Sequence, residues 1–291
     1  MKEKNVFHCG YVSIVGKPNV GKSTLLNLFL GEKLSAVTPK PQTTRHKILG
    51  ILNDKNYQII FLDTPGLILE PKYKLHELMN KTLHLALQDA DLVILMIEPQ
   101  EQPELKFLDY KKDTILVINK IDLVSKDSLL PLIDSVQKVY DFKEIMPISA
   151  IKKDGTGELL ECIMKYLPKN PPYYPTDILT DQPEKFFVSE IIREKIFEEY
   201  GQEIPYSTTV VIEEFKEREG KKDYIRAVIY VERISQKIIL IGKKGEKLKR
   251  VGERARKEIE VFLNRGVFLE LWIKPKKKWK DNLGMLKELG Y

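Results

Sequence analysis

The chain has 291 residues, 43% of them hydrophobic and 31% charged, and a net charge of +6; such a length and apolar content suit two domains with a core each. No apolar run is long enough to span a bilayer, and the start Met1-Lys2-Glu3-Lys4-Asn5 lacks the apolar stretch of a secretory leader. Two cysteines, Cys9 and Cys162, read as reduced core thiols, because they have no metal-ligand spacing and form no secreted framework.

The first strong signal lies near the amino terminus. Tyr11-Val12-Ser13-Ile14-Val15 reads as a buried strand, and Thr24–Leu30 as the first turns of a core-facing helix that stops at Gly31. Between them run Gly16, Lys17, Pro18, Asn19, Val20, Gly21, Lys22, Ser23 and Thr24, with the Gly-x4-Gly-Lys-Ser spacing of a P-loop. In such a loop successive backbone N–H groups turn onto phosphate oxygens, Lys22 reaches the β- and γ-phosphates, and the Ser23 hydroxyl is placed to hold Mg²⁺.

The polar stretch Glu32–His46 follows, too long for an ordinary connection and therefore either functional or disordered. As a switch it would be ordered when Thr44, or as the second choice Thr43, meets Mg²⁺ and the γ-phosphate. Lys47–Leu52 and Tyr57–Leu62 read as strands joined by a hairpin at Asn53–Asn56. Asp63, Thr64, Pro65 and Gly66 come next: the aspartate can reach Mg²⁺ through water and the glycine N–H can contact a γ-phosphate. Residues 67–73 would be a second switch, and a mobile surface loop is the alternative for both switches.

Lys74–Asp89 reads as a helix and Asp91–Ile97 as an almost wholly apolar strand. Asp113–Asn119 and Glu144–Ser149 are further strands, with helices near Ser128–Val139 and Gly155–Leu167. Buried strands alternating with helices predict an α/β domain, a six-stranded mostly parallel sheet covered on both faces, whose ligand lies at the carboxyl ends of the strands. There Asn119, Lys120 and Asp122 can read guanine: the carboxylate accepts both Watson–Crick-edge N–H donors, Asn119 meets N7 and Lys120 covers the ring. Ser149, Ala150 and Ile151 offer backbone N–H groups to the guanine oxygen.

In this order the motifs resemble the translation-factor-class regulatory GTPases. The resemblance implies GTP and GDP as ligands, Mg²⁺ held by Ser23, Thr44 and Asp63, and Lys22, Thr44, Gly66 and Asn19 in catalysis. One position departs: Ras-like members carry a water-orienting glutamine where this chain has Leu67, so unassisted hydrolysis is expected to be slow. Asn19 is where similar GTPases bind K⁺, and an asparagine that only ties the loop together is the equal alternative.

Pro168–Pro175 breaks the helical pattern as a stiff linker closed by Asp181-Gln182-Pro183. The division expected is a GTP-binding domain at 1–174, a linker at 175–183 and a second domain at 184–291. In the latter, Glu184–Tyr200 has helical spacing, and Thr208–Phe215 and Tyr224–Glu232 are alternating, β-branched strands. Charge then becomes uneven: residues 181–240 sum to −3 and residues 241–280 to +9, a density that more often marks a polyanion surface than a solvated helix face.

The basic stretch opens on Gly242, Lys243, Lys244 and Gly245 between two helical segments. A GxxG turn lets a nucleic-acid strand approach the backbone, while Lys247 meets phosphates and Ile238, Ile239, Ile241 and Leu248 line a groove for bases; a plain helix–turn–helix corner is the alternative. With the strand Val267–Lys274 the order resembles an α+β type II KH domain, a binder of single-stranded RNA. Lys276, Lys277 and Lys278 beside Trp279 suit phosphate contacts with base stacking, or else form a disordered basic tail; Trp272 is expected in the core.

Over essentially its whole length the chain resembles the Era family of bacterial GTPases. That resemblance implies a monomeric cytoplasmic protein, with peripheral contact to the inner membrane, that binds the 3′ end of 16S ribosomal RNA and assists assembly of the small ribosomal subunit and rRNA maturation. Two rivals use the same residues: a scaffold whose lysines dock on anionic lipid or a protein, and a tRNA-directed auxiliary GTPase, for which residues 185–291 offer no Cys, His or catalytic carboxylate pair.

Overall fold

The computed structural model describes residues 6–104, 107 and 110–291; the leader reading of residues 1–5 lies outside them. The chain divides into a unit of Met1–Leu69 with Met79–Asp181 and a unit of Glu70–Leu78 with Gln182–Tyr291.

In the first unit the strands are β1 (His8–Gly16), β2 (Ile48–Asn53), β3 (Tyr57–Asp63), β4 (Leu92–Ile97), β5 (Asp113–Ile118) and β6 (Glu144–Pro147), in the sheet order β2-β3-β1-β4-β5-β6. Only β2 and β3 pair antiparallel, as the short turn between them requires. The helices are α1 (Lys22–Leu30), α2 (Lys74–Asp89), α3 (Leu129–Gln137) and α4 (Thr156–Tyr166). All six residues of β4 are buried, the mark of a strand covered on both faces. Because β1 lies between β3 and β4, the sheet reverses its winding there, and the crevice at that reversal receives the loop after β1.

Register carries the site residues to the same edge of the sheet. Ile14 pairs with Asp63 and Gly16 with Met96, and Asn119 donates its N–H to Ile97 O at 2.9 Å. The proline-rich segment after α4 is packed on this unit: Ile51 N donates to Leu179 O at 2.8 Å, Gln58 Oε1 accepts from Tyr173 N and Tyr174 N, and Tyr174 and Ile178 lie against the cluster of Cys9, Ile51 and Ile60.

The second unit contains α5 (Glu184–Glu199), β7 (Thr208–Lys216), β8 (Asp223–Val231), α6 (Ile234–Ile241), α7 (Glu246–Leu263), β9 (Val267–Pro275) and a short α8 (Leu283–Glu288). Its sheet runs β7-β8-β9, antiparallel then parallel, the α-β-β-α-α-β order of a type II KH domain. Ile225, Ala227, Ile229 and Val231 alternate on the face that packs with Ile192, Ile196, Val251, Ala255 and Ile259 of the helices.

Two expectations about tryptophans are overturned here. Trp272 points away from this core and is 53% exposed, because its register partner on β8 is Val228, on the opposite face of the sheet from Ala227 and Ile229. Trp279 is fully buried, donating to Ser207 O at 3.2 Å and stacking on Tyr291, so it is closed to base stacking. Among the described residues no helix is long and apolar enough to cross a membrane.

Candidate functional site

The P-loop is held in place by one side chain from across the sheet. Asn119 Nδ2 donates to Val20 O at 2.8 Å, and its Oδ1 accepts from Ala150 N at 3.0 Å. One amide thus joins the P-loop, the end of β5 and the Ser149–Ile151 loop. Gly21 turns with φ 108°, and a β-carbon there would stand 2.2 Å from Asn119 Nδ2, so only glycine fits. Gly66 is held close but less tightly: its β-carbon would meet Pro18 N at 3.0 Å.

Lys22 is buried with its ammonium on Gly16 O (3.1 Å) and Lys17 O (2.9 Å). Burial pulls its pKa down to about 8, against the opposing pull of Asp63. Asp63 is displaced the other way: burial raises its pKa, opposed by Lys22, Ser35 and Ser23. Both shifts have the same cause, a charge removed from water with too little of the opposite sign around it.

Ser23 Oγ donates to Asp63 Oδ2 at 2.8 Å and lies 3.1 Å from Thr44 Oγ1. Asp63 Oδ1 is buried without a hydrogen-bond partner. Three oxygens and an orphaned carboxylate oxygen fit a hard divalent cation such as Mg²⁺. Thr43 faces elsewhere, with its Oγ1 donating to Lys40 O at 2.7 Å and lying 2.6 Å from Thr38 Oγ1; Thr44 is the threonine beside Ser23. Between the P-loop and residues 36–44 lies a cavity of ≈ 70 Å³, also bordered by Gly66. Asn19 Nδ2 donates to Pro39 O at 2.7 Å, a tie between the P-loop and the Glu32–His46 stretch. Leu67 packs partly buried against the Leu83 and Leu87 cluster, away from any polar role.

At the other end of the site, Ser149 Oγ donates to Asp122 Oδ1 at 2.6 Å. This fixes one carboxylate oxygen and leaves the exposed Asp122 free to receive donors from a base. Lys120 takes a left-handed turn (φ 65°) and pairs with Glu98, a partner the sequence reading missed. Lys17 pairs with Glu101 at 3.1 Å, so its charge is engaged beside the phosphate loop.

In the second unit, Gly242–Gly245 forms the tight corner between α6 and α7. Lys243, Lys244 and Lys247 are exposed, as are Ile238 (66%) and Ile239 (46%). Ile241 and Leu248 pack partly against the core. Beside the corner runs an open groove of ≈ 450 Å³ between α7 and β9, lined by Gly245, Leu248, Gly252, Leu269 and Leu271, with Lys249, Glu253 and Arg256 at its edges. Gly252, Leu269, Leu271 and Arg256 were not singled out from sequence; a glycine in the middle of a basic amphipathic helix was the signal available. Lys277 and Lys278 are exposed. Lys276 pairs with the exposed Glu288 at 2.8 Å and lies over the Tyr230 ring, a surface pair that a phosphate contact would have to exchange.

Family models match both units: one described as 50S ribosome-binding GTPase over residues 11–120, and KH domain over residues 203–280. The GTPase Era of Geotalea uraniireducens is 48% identical over 298 residues, covering 100% of both chains. The chain belongs to the Era family of GTPases. The Era protein of Geotalea daltonii is 46% identical over 98% of each chain. Among solved structures, a point variant of Aquifex aeolicus Era bound to GDP·AlF4⁻ matches with a TM-score of 0.94 at 42% identity, covering 98% of this chain and 99% of that one. Era in complex with MgGDPNP and nucleotides 1506–1542 of 16S ribosomal RNA matches with a TM-score of 0.93, also at 42% identity and with the same coverage.

Proposed function

We propose that the chain hydrolyses GTP in its first unit and grips the single-stranded 3′ end of 16S ribosomal RNA in its second, as a switch in assembly of the small ribosomal subunit. The observation that carries the first half is Asn119, which ties the phosphate loop to the base-reading loops at hydrogen-bond distance. The P-loop N–H groups and Lys22 hold the phosphates, and their charge meets the deficit that burial leaves on Lys22. Asp122 accepts the guanine N–H donors, which adenine does not present in that pattern, and Lys120 covers the ring.

Mg²⁺ held by Ser23 and Thr44, with Asp63 behind them, would offset the charge that develops between the β- and γ-phosphates. Gly66, close against Pro18, is the residue whose N–H would contact the γ-phosphate. Leu67 leaves the attacking water without a side chain to orient it, so turnover is slow until a partner or another group assists. Potassium beside Asn19 is the proposed supply of extra charge; equal turnover in sodium and potassium buffers removes it.

The second half rests on the groove beside Gly242–Gly245 and on the 16S RNA complex of an Era protein that matches over the full length. Lysines on the rim meet phosphates and the apolar floor receives unstacked bases. The same reading places the protein in the cytoplasm as a monomer, with exposed Lys277 and Lys278 available to an anionic membrane face. Fluorescence anisotropy with a labelled 3′-terminal 16S fragment tests it. Changing Lys243 and Lys244 together to Glu lowers affinity by tenfold or more, on the order of two lost phosphate contacts plus repulsion; RNA binding retained with lipid binding lost supports the membrane scaffold instead.

A further inference from the structure

We propose that Glu98 is a positioning residue for guanine binding, holding the Lys120 side chain where its methylene stem covers the base. The inference rests on Lys120 being the residue that lies over the ring. Glu98 follows β4 and opens a turn with Pro99 at its second position, closed by Glu101 N donating to Glu98 O at 2.9 Å. The turn locks itself a second time: Glu98 N donates to Glu101 Oε2 at 3.1 Å. Its two carboxylates then diverge, Glu98 to the ammonium of Lys120 and Glu101 to that of Lys17. Beneath them, Asn119 N on Ile97 O fixes the strand ends that carry both Glu98 and Lys120.

Two carboxylates beside a polyanion site ask for a physical reason, because each repels the phosphates. The pairing supplies one. A lysine stem has four rotatable bonds, and Lys120 already spends backbone strain on a left-handed turn. An ammonium anchored on Glu98 restricts those rotamers before the base arrives, so less freedom is lost on binding. Its side chain and that of Glu98 are each 30% exposed, which limits the effect to the range of a partly screened pair.

The two physical effects have opposite signs, and that makes the test decisive. If Glu98 acted only by repelling phosphates, Glu98→Gln would slow nucleotide release; if it positions Lys120, release accelerates by about fivefold. The measurement is stopped-flow release of a fluorescent GDP analogue from the full chain, in wild type, E98Q, K120M and the double variant. The expected result is faster release from E98Q and K120M, with E98Q adding nothing in the K120M background. E98D, one methylene short with its charge kept, releases at an intermediate rate and serves should E98Q fold poorly. Slower or unchanged release from E98Q, or the same factor in both backgrounds, overturns the proposal. K120M releasing at the wild-type rate overturns instead the reading of Lys120 on which it rests.

Discussion

Asn119 stands so close to Gly21 that a β-carbon on Gly21 would lie 2.2 Å from its Nδ2. The residue that begins the Asn119–Asp122 segment therefore also sets the shape of the P-loop. A change at Gly21 must displace Asn119, and with it the bonds to Val20 and Ala150. Strain at a positive φ costs about 1–3 kcal/mol and a broken buried hydrogen bond about as much again. Gly21→Ala accordingly lowers GDP affinity on the order of a hundredfold, read by calorimetry; an affinity within threefold of wild type contradicts the linkage.

Thr43 and Thr44, adjacent in the Glu32–His46 stretch, stand in separate surroundings. Thr44 Oγ1 lies beside Ser23 Oγ, whereas Thr43 is engaged with Lys40 and Thr38. Thr44→Ala lowers GTP turnover by roughly tenfold or more, and the Mg²⁺ concentration for half-maximal turnover rises. Thr43→Ala leaves that Mg²⁺ midpoint where it was. A Mg²⁺ titration of turnover for both variants decides the assignment, and a shifted midpoint in Thr43→Ala alone reverses it.

Buried Trp279 and outward Trp272 differ in what their loss costs. Trp279→Ala removes a fully buried ring with a hydrogen bond and destabilises the second unit by about 3–5 kcal/mol. Trp272→Ala costs about 1 kcal/mol or less, since half of the side chain already meets water. Denaturant unfolding followed by circular dichroism separates them; equal midpoints for the two variants contradict the burial assigned to Trp279.

Gly252 leaves the groove between α7 and β9 open, with Leu271 Cδ1 3.3 Å from where its β-carbon would be. Gly252→Leu places a side chain where a base would lie, and a helix gains about 0.8–1 kcal/mol from the loss of glycine. The expected outcome is an unfolding midpoint no lower than wild type together with RNA affinity weakened about tenfold, the worth of one base contact. Undiminished affinity for a 3′-terminal 16S fragment would move the RNA away from this groove.

Local pattern revealed much of this chain and long-range packing the rest. The placement of the P-loop, the Asp63–Gly66 turn and the Asn119–Asp122 segment at one edge of the sheet was legible because each is a run of residues adjacent in sequence at the end of a strongly patterned strand. Glu98 was not, since its meaning comes from Lys120 on the neighbouring strand end. The alternation around Trp272 showed that it faces one side of a sheet, but which side receives the helices is decided by Val251, Ala255 and Ile259. Trp279 sits in a lysine cluster that looks solvated, and Tyr291, twelve residues on, helps to cover it. The prolines of 168–175 suggested a spacer, whereas the bonds that hold Tyr173 and Tyr174 of this segment go to Gln58, more than a hundred positions earlier.

The central claim, that the groove beside Gly242–Gly245 receives ribosomal RNA while the first unit holds GTP, is tested most directly by crosslinking the protein in a non-hydrolysable GTP state and sequencing the attached RNA. The account predicts reads concentrated at the 3′ end of 16S rRNA, with crosslinks on α7 and β9, and their loss when Lys243 and Lys244 are changed to Glu. Enrichment of tRNA, or 16S reads that persist undiminished in that variant, would contradict it.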